Sequence, residues 1–67
     1  MKGIIARVVV DKNFGFITSD EDGKDYFFHK SVLINSESFT QALKGLTVTF
    51  EPQQSEKGLR ADEVFLD

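Results

Sequence analysis

Sixty-seven residues carrying a net charge of −3 make one domain, expected to span 1–67. It is a small one: a chain of this size buries only ~60% of the surface its unfolded form exposes. With no cysteine, disulfides and thiolate-ligated metals are excluded, and with a single histidine an imidazole-built zinc site is not expected, so packing has to supply the stability. Hydrophobic residues at 40% and charged residues at 28% describe a folded chain rather than a disordered one. No apolar run reaches the length of a signal or membrane segment, and the expectation is a cytoplasmic protein without membrane, cofactor or small-molecule substrate.

The first strand is "GIIARVVV" (3–10), β-branched and apolar, with one charge at Arg7. "FGFITS" (14–19) and "KDYFFHK" (24–30) flank "DEDG", whose Asp22-Gly23 pair signals a hairpin turn. The connection 31–44 is too long for a tight turn. Its Ser31-Val32-Leu33 start suggests one short helical turn, and Gln41 to Lys44 a second. "GLTVTFE" (45–51) alternates, with Leu46, Val48 and Phe50 on one face, and Pro52 is expected to end it because it lacks an amide donor. The last candidate is "LRADEVFL" (59–66), less regular around Asp62 and Glu63.

Five short strands in so small a chain bury an apolar face only by curling, and closure removes exposed edges. The predicted fold is therefore all-β, a five-stranded antiparallel barrel of OB type. Gly3 and Gly15 lie where strong bends or close backbone approach are needed. Ile5, Ile17, Phe28, Val32, Val48, Phe50 and Val64 are the core candidates.

Strand alternation then divides the aromatic residues. If Ile17, Tyr26 and Phe28 fill the barrel, then Phe14, Phe16, Phe27 and His29 face outward on adjacent strands. Lys12 and Lys30 rim this patch. An exposed apolar patch of this kind marks an interaction site. Every base has a π-face, and stacking one on a ring contributes roughly 1–3 kcal/mol. The competing reading is a surface covered by the long loop or by a partner protein. His29 has no serine, cysteine or acid constellation around it, so catalysis is not expected. Asp20, Glu21, Asp22 and Asp25 lack the terminal glutamate of an EF-hand and read as a solvated turn.

"GII", "DKNFGFI" and "DYFFHKS" in this order resemble the cold-shock domain, whose two binding motifs read approximately K-G-F-G-F-I and V-F-V-H-F. The likeness covers nearly the whole chain, including "VTFE" and the closing "KG…A…V". It implies an OB-type barrel that binds single-stranded RNA or DNA, an RNA-chaperone role with temperature or stress as its occasion, and contact positions at Lys12, Phe14, Phe16, Phe27 and His29. It also matches Phe39 to a loop phenylalanine that stacks on bases in some members, with packing of the loop onto the barrel as the equal alternative. Lys57 falls where members often place a basic residue in the last loop.

Departures from that family fall on the same surface. Ala6-Arg7-Val8 stands where members have Lys-Trp-Phe, Lys30 where another phenylalanine is common, and Asn13 where the first motif has glycine. Arg7 and Lys30 offer cations in place of rings, since a guanidinium stacks on a base and both attract phosphate. Binding weaker and more salt-dependent than that of a typical member is expected, with little sequence preference. The rival reading, motivated by the pI near 5.0 and the lost tryptophan, is a barrel turned to protein interaction. A monomer is expected, with Phe65 left open as a surface or dimer contact.

Overall fold

The strands of the computed structural model, which describes residues 1–35 and 38–67, are β1 (Lys2–Val9), β2 (Phe14–Ser19), β3 (Asp25–His29), β4 (Thr47–Ser55) and β5 (Gly58–Leu66). They close in the order β1-β2-β3-β5-β4, with β4 returning to pair with β1. This is an OB-type barrel, with no α-helix among the described residues. Short 3-10 turns lie at Val10–Lys12, Lys30–Val32 and Gln41–Leu43. The latter two correspond to the helical turns expected in the 31–44 connection, of which residues 36 and 37 lie outside the described residues.

The barrel is not antiparallel throughout. In a closed ring of five strands, neighbours cannot alternate direction all the way round, because five is odd. One seam must run parallel, and it is β3–β5. Its ladder consists of the rung Phe27↔Arg60, extended by an isolated parallel bridge Leu33↔Val64.

Two bulges break strict alternation. In β1, Ile5 pairs with Ile17 but Arg7 pairs with Phe16, so Ala6 is an extra residue. In β5, Asp62 pairs with Glu51 but Phe65 with Thr49, so the irregularity expected around Asp62 and Glu63 is a bulge with Glu63 at φ +51°. Each bulge reverses which residues point out of the barrel.

Ile5, Ile17, Phe28, Val48, Phe50 and Val64 are buried in the core as expected, joined by Val8, Tyr26, Phe39, Leu43 and Ala61. Val32 is only partly buried and packs against that core. Leu46 does not share the inward face of Val48 and Phe50: it precedes β4 and is 42% exposed.

Pro52 does not end β4, which runs on to Ser55. Phe50 directs its N–H to the carbonyl of Met1, on the β1 side (2.8 Å). Backbone alternation turns Pro52 to that same side, where β1 has ended and no ladder bond is lost. The long connection is tied down by side chains. Asn35 donates to the Leu66 carbonyl (2.9 Å) and accepts from its N–H (2.7 Å), and Gln41 Nε2 donates to the carbonyl of Val8 (2.8 Å).

Candidate nucleic-acid interface

The β2–β3 ladder pairs Phe14 with His29 and Phe16 with Phe27, and directly opposed residues share a face. Their rings form a contiguous group. Phe14 lies 5.3 Å from Phe27 at a 40° tilt, and Phe16 meets Phe14 and Phe27 edge-on at 5.9 and 6.0 Å. Offset and edge-on contacts at these distances are favoured by the ring quadrupole, so each ring braces the next. Phe27 is 37% exposed, Phe14 and Phe16 are half-buried, and His29 is exposed. The inner face of the same hairpin carries Ile17, Tyr26 and Phe28, all in the core.

The row extends across four strands. Arg7 pairs with Phe16, Phe16 with Phe27, and Phe27 with Arg60. Two cations therefore flank two rings: Arg7–Phe16–Phe27–Arg60. A second row runs Val9–Phe14–His29. The β1 side of the platform has no ring, because Arg7 and Val9 occupy the outer positions and Val8 is buried.

Lys12 and Lys30 are both exposed and sit in turns that are stitched together. Asn13 follows Lys12 in the left-handed conformation (φ +61°), which asparagine adopts more readily than most residues, and its carbonyl accepts from the Lys30 N–H at 2.7 Å. His29 caps the turn Lys30–Val32: its Nδ1 accepts the Ser31 N–H at 3.1 Å, with the Ser31 hydroxyl at 3.0 Å. That bond leaves the proton of the neutral ring on Nε2.

Lys57 lies in the β4–β5 turn and lines a cleft of about 500 Å³ with Phe16, Phe27 and Arg60. Asp25 also lines this cleft, its carboxylate accepting from the Thr18 hydroxyl at 2.8 Å. On the other side of Phe27, a smaller cleft of about 180 Å³ is formed with His29, Ser31 and Arg60. Both clefts open along the seam where the ladder is shortest.

Phe39 makes no ring contact with Phe14, Phe16 or Phe27 among the described ring pairs. It is 8% exposed and packs edge-on against Phe28 at 6.1 Å, which shows the loop packed onto the barrel. Arg60 is the residue that the sequence reading missed. The signal for it was the irregularity at Asp62 and Glu63, which changes the outward positions of β5. In the acidic turn the carboxylates have local work: Asp22 accepts from the Tyr26 hydroxyl (2.7 Å) and from the Lys24 N–H (2.9 Å).

The geometry agrees with comparisons to known proteins. The family model of the 'Cold-shock' DNA-binding domain matches residues 1–66. The chain is 48% identical over 54 residues to the cold shock-like protein CspA of Shewanella violacea, covering 81% of this chain and 76% of that one. It is 43% identical over 62 residues to cold shock protein 1 of Lactiplantibacillus plantarum, covering 92% and 91%. With the cold shock-like protein CspA of Vibrio cholerae it shares 40% over 64 residues, covering 96% and 90%. A barrel of this type, a patch of rings rimmed by cations, and a match along nearly the whole chain lead to one conclusion: the chain belongs to the cold-shock domain family, a nucleic-acid-binding family.

Proposed function

We propose that this chain binds single-stranded RNA or DNA non-catalytically, stacking bases on Phe14, Phe16, Phe27 and His29 while Arg7, Lys12, Lys30, Lys57 and Arg60 meet phosphates. The observation that carries the reading is the contiguous ring group Phe14–Phe16–Phe27, at least partly open to solvent on the outer face where the cations gather. Bases in a duplex are already stacked on one another, so a stacking surface selects unpaired strands. Ring faces do not distinguish bases, which supports low sequence preference. A protein that holds strands unpaired in this way acts as an RNA chaperone in the cytoplasm, with cold or other stress as its occasion.

Binding is weaker than in members that carry a ring on β1, because each absent platform removes on the order of 1–3 kcal/mol of stacking. Titration of the protein with a short oligopyrimidine, followed by amide NMR shifts, tests the reading. Shifts centred on Phe14, Phe16, Phe27 and His29 are expected. A surface that stays at baseline at submillimolar protein overturns it, and the protein-interaction reading then takes its place.

A further inference from the structure

Arg60 does not stand alone on the surface. Two residues apart on one strand, Arg60 and Asp62 share the outer face, and Arg60 Nη2 lies 3.4 Å from Asp62 Oδ1. The two side chains are 53% and 31% exposed. Asp62 lines the cleft of Phe27 and His29 together with Arg60, and also a neighbouring cleft of about 450 Å³ that contains Glu51 and Glu63. The seam thus passes from a basic end at Lys57 and Arg60 to an acidic end, and Asp62 stands at the boundary.

Asp62 has its own need for a cation. Across the β4–β5 ladder it directly opposes Glu51, and like charges so placed repel. Glu63 follows it in the chain. Arg60 relieves this crowding through a single exposed contact, a kind of ion pair weak enough to be displaced.

We propose, resting on the single-strand reading above, that Asp62 competes with nucleic-acid phosphate for Arg60. When a strand lies over Phe27, its phosphate takes the guanidinium, and Asp62 is left facing Glu51. The displaced ion pair and the restored repulsion both oppose binding. The ion pair therefore sets how tightly the seam end of the surface holds a strand, and the acids beyond Asp62 end the track by repelling phosphate.

A double-mutant cycle tests this with a fluorescein-labelled oligopyrimidine and the full chain, using Asp62→Asn, Arg60→Gln and the pair of changes together. Both side chains are on the outer face, and a thermal melt of each variant verifies the fold. Asp62→Asn is expected to tighten binding about two- to fivefold, the factor an exposed ion pair carries. Arg60→Gln is expected to weaken it, and in that background the gain from Asp62→Asn disappears. Equal tightening with and without Arg60 would mean that Asp62 acts only as a diffuse negative charge, and that result overturns the competition. So does no tightening in either background. Failure of the unaltered chain to bind the oligonucleotide overturns the single-strand reading itself, and the competition falls with it.

Discussion

Phe27 and Arg60 are partners across the one parallel rung between β3 and β5, so their backbones run side by side at strand spacing, roughly 4.8 Å, and the two residues line the same clefts. Phe16 flanks Phe27 on the other side, and Arg7 flanks Phe16. Rings and cations are therefore arranged in a line across four strands rather than along one, with an arginine on either side of the two central rings.

Phe27 is one of the two rings in that line and packs against both Phe14 and Phe16. Phe27→Ala is expected to weaken oligopyrimidine binding by roughly 1–3 kcal/mol, about five- to 150-fold. Because the ring is partly exposed, the fold survives its loss. Isothermal titration of the variant against the unaltered chain checks this, and equal affinities would remove Phe27 from the platform.

The cations make a separate prediction. With about three to five phosphates neutralised on a single strand by the five cations of this face, log K against log salt is expected to slope between about −2 and −3.5. Arg7→Gln shallows that slope by roughly 0.7, one phosphate's share. A slope that Arg7→Gln leaves unchanged means its guanidinium does not meet phosphate.

Much of this surface was legible in the sequence because β2 and β3 alternate without interruption. Phe14, Gly15, Phe16 and Ile17 follow the simple rule, as do Tyr26, Phe27, Phe28 and His29, and both faces came out correctly. β1 and β5 do not follow it. Strict alternation from the buried Ile5 turns Arg7 inward, and the same count back from the buried Val64 turns Arg60 inward. A bulge in each strand brings its arginine out. Nothing local announces the bulge at Ala6, so only the family resemblance puts Arg7 outside, and it does not extend to Arg60. Phe39 was ambiguous for another reason: its loop has no period, and only the packing against Phe28 decides its direction.

The flat approach of β2 to β1 depends on Gly15. A Cβ there would stand 2.5 Å from the Arg7 carbonyl oxygen and 2.8 Å from the Phe28 ring, and the oxygen belongs to backbone that cannot rotate away. Gly15→Ala is expected to cost roughly 1–3 kcal/mol. For a domain of this size that lowers Tm by roughly 4–24 °C. Calorimetry checks it, and an unchanged Tm would show that the strands separate here without strain.

The Tyr26–Asp22 bond makes stability depend on pH at both ends. Asp22 is held below the ordinary carboxylate value, first by the Tyr26 hydroxyl and then by the Lys24 N–H. On acidification the unfolded chain takes up this proton before the folded one does. The contribution is thus complete above the ordinary carboxylate range and is lost as pH falls through it to the lower folded value. Tyr26 is raised above the ordinary phenol value, chiefly by the same bond and then by burial. The folded chain keeps that proton longer, so this contribution is complete below the ordinary tyrosine range and is lost as pH climbs beyond it. Asp22→Asn is expected to flatten both limbs of the urea midpoint plotted against pH. Limbs that superimpose on those of the unaltered chain would leave the pair without effect on stability.

Glu63 carries backbone strain in the β5 bulge, at φ +51°. A non-glycine residue there costs roughly 1–2 kcal/mol through the clash of Cβ with the following carbonyl. Glycine relieves the clash but gives the unfolded chain more freedom, which takes back about 0.5–1 kcal/mol. The side chain of Glu63 is exposed, and replacing it also removes one carboxylate beside Asp62. Glu63→Gly is therefore expected to raise stability by up to roughly 1.5 kcal/mol, read as a higher urea midpoint at unchanged m-value. Glu63→Ala separates the two contributions: it removes the charge and keeps the Cβ. If the alanine variant gains as much as the glycine variant, charge crowding and not the backbone is the source of the strain.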